Sequence, residues 1–145
     1  MATPIFRYHI VLKIICFLFL ALWVYAATSK LLIYQEFEIQ LSKSPFASNY
    51  STLLVWMIPL TEYILAGLFL FPKYILSALY LSFSMMVLFT IYILGVLNFS
   101  NAIPCACGGV ITTLSWNEHL LFNILFIGLA ILGILLFKKQ NTIDS

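Results

Sequence analysis

Two cysteines stand one residue apart in "NAIPCACGGVITTLSWNEHL", the stretch that begins at Asn101. Cys105 and Cys107 follow Pro104 and precede Gly108 and Gly109. In an extended segment, residues i and i+2 point to the same side, so the two sulfurs can meet. The ring they close is small and strained. About 3 kcal/mol of strain raises a disulfide's potential by roughly 60 mV and eases its reduction. Such a bond suits an oxidant or an exchange partner. A structural disulfide instead joins distant segments and closes a long loop, whereas a C-x-C bridge restrains hardly any chain.

Two other roles fit the same pair. Two thiolates can hold a soft ion such as Cu(I), with His119 or a methionine as third ligand. Alternatively, they are two small residues in a tight loop that shapes a partner interface on a non-catalytic scaffold. The remaining cysteine, Cys16, lies in an apolar run. It reads as a buried small hydrophobe, too deep to reach the pair.

Other polar residues stand out against an apolar background. Ser115 and Glu118 have the spacing of a capping box, which accounts for Glu118 without chemistry. His119 and Asn123 are four apart and share a helical face. An asparagine inside lipid seeks a partner, so that face is expected to point into the protein. His119 can then relay protons for thiol exchange, or else rest at headgroup level. Glu62 sits near the middle of an apolar run, where a charge costs on the order of 3 kcal/mol. It must be protonated or paired. Lys30 is the nearest cation, if its long stem dips inward.

The elements that must position these residues are membrane helices. The chain has 145 residues, 63% hydrophobic and 8% charged, too few charges to cover a soluble domain. Four apolar segments are long enough to cross a bilayer, at about 10–27, 53–71, 75–97 and 120–137. Within lipid the backbone must bond inside its own segment, so the reading is all-α, an antiparallel four-helix membrane bundle in a single domain spanning 1–145. Phe71-Pro72-Lys73 links the second and third spans as a tight hairpin. In "LLIYQEFEIQLSKSPF", Ile33, Phe37, Gln40, Leu41 and Ser44 lie near one helical face. That predicts a short interfacial helix stopped by Pro45, or else an extension of the first span.

Charge orients the bundle. Arg7, Lys13, Lys73, Lys138 and Lys139 share one end, and Lys30 and Lys43 the other. The positive-inside rule places both termini in the cytoplasm of a bacterial inner membrane and the cysteine loop in the periplasm, where disulfides persist. Trp23, Tyr25, Trp56 and Trp116 are expected at the outer interface. The basic start and the run ending at Thr28 also resemble a signal peptide, but the run is long and apolar sequence soon resumes. The net charge of +2, with no basic run, excludes nucleic acid as a partner. No phosphate loop or nucleophile triad is present.

Taken together, "SKLLIYQEFEIQLSKSPF", "PLTEYILAGLFLFPK", "LNFSNAIPCACGGV" and "SWNEHLLFNILF" resemble the MauE/DoxX group of small four-helix membrane proteins, in its Bacteroidetes form. The resemblance covers nearly the whole chain. It implies a redox-associated protein that handles disulfides outside the cytoplasm with a thioredoxin-like partner. The family's cysteine pair falls on Cys105 and Cys107. Lys30, Glu62, Glu118 and His119 match polar positions of the same pattern. DsbB and vitamin K epoxide reductase, which are four-helix bundles passing electrons from thiols to quinone, are functional analogues. A quinone is thus a candidate acceptor, although a second cysteine pair is missing here.

Overall fold

The computed structural model describes residues 4–99 and 115–144. Five α-helices follow one another: α1 (Pro4–Leu32), α2 (Tyr34–Lys43), α3 (Ser51–Phe69), α4 (Ile75–Phe99) and α5 (Trp116–Asp144). No strand occurs among the described residues. Four of the helices are long and apolar enough to cross a membrane. The composition leaves no other economical solution, since each helix satisfies its own backbone.

The long helices run up, down, up and down. α1 packs along α3 and α5, and α4 packs along α5 and α3, so neighbours are antiparallel. Both chain termini and the link after α3 therefore share one end, here the terminal end. The α1–α3 and α4–α5 connections share the other, the loop end. At the terminal end Lys139 Nζ donates to Tyr8 Oη at 3.0 Å, tying α5 to α1. Pro72 opens a single 3-10 turn that leads into α4. Its missing N–H carries no penalty in a first turn.

The core is aromatic and small-residue by turns. Phe19 is fully buried, stacks on Phe69 at 5.8 Å between ring centres and meets Phe126 edge-on at 5.3 Å. One side chain thus locks α1, α3 and α5 in register. Closer to the terminal end, Gly133 lets α5 approach its neighbours. A Cβ there would lie 3.0 Å from a Leu79 methyl and 3.2 Å from an Ile15 methyl.

Three features differ from the sequence-based expectation. Most helices extend past the apolar runs, since the polar residues at their ends still satisfy their backbone by helical bonding. α3, by contrast, stops at Phe69 rather than 71, because Leu70 and Phe71 turn back onto Gly67 and Leu68. Trp23 is not an interfacial aromatic. It is 1% exposed, and its Nε1 donates to the buried Ser82 Oγ at 2.9 Å, joining α1 to α4. The indole has found an internal partner, so it needs no headgroup contact. Cys16 is half-buried rather than buried.

The segment after α1 combines both readings offered for it. Only Ile33 separates α1 from α2, with φ −112° and ψ 34° breaking the helix. Yet α2 packs on α3, burying Phe37 and Leu41 with Ala47 and Val55. Ser44, extended ahead of Pro45, ends it. Beyond it Phe46 lies over Gly95, where a Cβ would stand 2.9 Å from its ring. The first connection is thereby pinned to the loop end of α4.

The packing at Gly133 gives a direct check. Gly133→Ala should be less stable than Gly128→Ala by about 1–3 kcal/mol, because nothing lies within 4 Å of the Cβ site at Gly128. Paired unfolding curves in detergent measure the difference, and equal stabilities would contradict the close approach.

Candidate functional site

Helical register builds the site. Glu62 lies two turns from Phe69 along α3, toward the loop end. From Phe19 on α1, the same step leads to Ala26. Lys30 starts one turn further out and turns back. Its Nζ donates to Glu62 Oε1 at 2.7 Å and reaches the Ala26 carbonyl at 3.4 Å. The ammonium also lies 5.7 Å from the centre of the Phe89 ring on α4. Glu62 is 0% exposed and Lys30 6%. This is a desolvated ion pair, the only ion pair among the described residues.

The pair leaves unspent bonding capacity. Glu62 Oε2 is buried and has no hydrogen-bond partner. So is Asn123 Nδ2, on α5, whose residue is 1% exposed. Buried polar atoms are ordinarily bonded, and an orphan costs about 1–3 kcal/mol. Both lie on the loop-end side of the Phe19, Phe69 and Phe126 rings, and such orphans suit water or a mobile proton. One turn outward on the same face of α5, half-buried His119 stands within electrostatic reach of Lys30.

Glu118 stands apart from this cluster. It is exposed and closes the capping box that starts α5. The Ser115 N–H donates to Glu118 Oε2 at 2.8 Å and the Ser115 hydroxyl at 2.9 Å, while the Glu118 N–H donates back to Ser115 Oγ at 3.4 Å. It fixes the start of α5 and so the height of His119. Cys105 and Cys107 lie outside the described residues. Chain connectivity places them in the segment that joins α4 to α5.

Thr61 and Tyr63, which flank Glu62 in sequence, bond elsewhere. Thr61 donates to the Met57 carbonyl, and Tyr63 pairs with Thr28 at 2.7 Å. Phe89 carries no sequence signal as a partner, since a phenylalanine in an apolar run looks lipid-facing. Pro59 carries a signal that a sequence can show. It is buried one turn before Glu62, where a proline removes a backbone donor and loosens the helix.

The family model for methylamine utilisation protein MauE matches residues 8–136. The chain belongs to the MauE family. No curated protein and no solved structure matches it. The matched range reaches into all four long helices and takes in the Lys30–Glu62 pair, His119 and both cysteines of the C-x-C motif. The chain is thus a multi-pass membrane protein of a family associated with methylamine utilisation.

The ion pair has a measurable signature. Lys30→Met or Glu62→Leu alone should lower stability by about 3–5 kcal/mol, because each strands a buried charge. The double variant should recover most of that loss. Unfolding of all three in detergent completes the cycle, and additive losses would show that the two side chains do not interact.

Proposed function

We propose that this MauE-family protein is a membrane thiol–disulfide redox protein whose working groups are Cys105 and Cys107. The dithiol gives up two electrons and two protons as it becomes the disulfide, and a partner disulfide takes them up to become a dithiol. One thiolate attacks the partner sulfur, and the second resolves the mixed disulfide. The partner this reading calls for is a thioredoxin-like extracytoplasmic protein; in the opposite direction a partner dithiol reduces the Cys105–Cys107 disulfide, and a quinone then takes the two electrons and two protons from the pair to become a quinol.

The observation that carries this reading is the buried, incompletely bonded Lys30–Glu62 pair at the end of the bundle where the α4–α5 connection is anchored. Exchange at thiols moves protons, and a carboxylate with a free buried oxygen can hold one. His119 lies one turn outward of Asn123 on α5, toward the loop end, so it can pass protons outward. Orientation follows from charge. Five cations gather at the terminal end, while at the loop end Lys30 is withdrawn into its pair and only Lys43 stays exposed. That asymmetry favours cytoplasmic termini and a periplasmic cysteine loop in a bacterial inner membrane.

A scaffold without chemistry is the competing reading, and two experiments separate them. Cys105→Ser or Cys107→Ser should trap a covalent complex with the partner in non-reducing gels, whereas no capture by either variant opposes exchange. The Lys30→Met/Glu62→Leu double variant should fold yet lose thiol turnover at least tenfold. Normal turnover in that variant would make the pair purely structural.

A further inference from the structure

At the terminal end a cleft of about 440 Å³ opens between the helices. That volume falls within the range of small-molecule sites. Its walls are apolar, formed by Leu12, Phe17, Leu20, Phe69 and Phe137 among others. His9, Lys13 and Gln140 supply its polar groups. Phe17 is 67% exposed, so the apolar wall runs out onto the surface that faces lipid.

Two of these groups, Gln140 and Lys13, have bonding capacity to spare. Gln140 Oε1 is buried without a hydrogen bond. Lys13 takes part in no ion pair among the described residues. Its neighbours at this end are differently placed, since Lys73, Lys138 and Lys139 each sit over a tyrosine ring. Of the described cations at this end, Lys13 is the one that lines the cleft.

We propose that this cleft is a binding site for an anionic phospholipid. Its phosphate would sit against Lys13 and His9, a headgroup hydroxyl would donate to Gln140 Oε1, and an acyl chain would follow the apolar wall past Phe17. Basic pockets between membrane helices take acidic headgroups in this way. The apolar wall favours a lipid over free phosphate. A quinone serving the cysteine pair would not belong here. From Lys13 to Lys30 α1 rises about 25 Å, which separates this cleft from the loop end.

Native mass spectrometry of the full chain released from nanodiscs tests the site. Phosphatidylglycerol should be retained at one molecule per chain, phosphatidylcholine much less, and inorganic phosphate should not displace it. Lys13→Gln should weaken retention about fivefold. Lys138→Gln removes the same charge from the same end but lines none of the cleft, and should leave retention unchanged. Equal weakening by both variants would reduce the effect to general surface charge and overturn the site. Equal retention of phosphatidylcholine, or displacement by phosphate, would overturn it too. Unfolding curves of both variants confirm that a loss is not one of fold.

Discussion

A charge inside a membrane bundle must find its opposite, and here the requirement falls on Lys30 and Glu62. Neither side chain can reach bulk water without crossing the packing of its neighbours. Their 2.7 Å contact pins α1 to α3 at the loop end, while the Phe19–Phe69 stack pins the same helices nearer the terminal end. Two fixed points set the register of one helix on the other. α4 is tied to α1 through Trp23 and Ser82 and lends Phe89 to the lysine. α5 completes the ring through Phe126 and the close approach at Gly133.

The pair also divides the bundle by chemistry. Toward the loop end, the interior carries a lysine, a glutamate, an asparagine and a histidine. Toward the terminal end, the interior is apolar apart from Gln140, and cations gather around the helix ends. Proton handling is the role proposed for the first region, and lipid binding the role proposed for the second. A buried pair is weak evidence for stability, because two apolar residues would pack at least as well. Its one unbonded carboxylate oxygen is the feature that the proposed proton role would use.

Much of this was legible from residue types. Four long apolar runs in a chain with so few charges admit hardly any architecture but a helical bundle. Glu62 announced a partner because its position made an unpaired charge too costly, and Lys30 was the one cation whose stem could reach it. Ser115 and Glu118 declared the start of α5 by spacing alone. What stayed hidden depended on rotation about each helix axis. Continuous apolar sequence does not say which face meets lipid, so Trp23 read as interfacial although its indole turns inward to Ser82. Phe89 gave no signal for the same reason. The break at Ile33 was equally silent, because a single isoleucine carries no helix-stop signature.

The redox role of the C-x-C pair is open to one decisive reading. Native membranes quenched in acid, then alkylated, report how many of the three cysteines are free. Two sulfurs protected until reductant is added, with Cys16 the only free thiol, is the expected result. Three free thiols under every growth condition would contradict a redox role for Cys105 and Cys107.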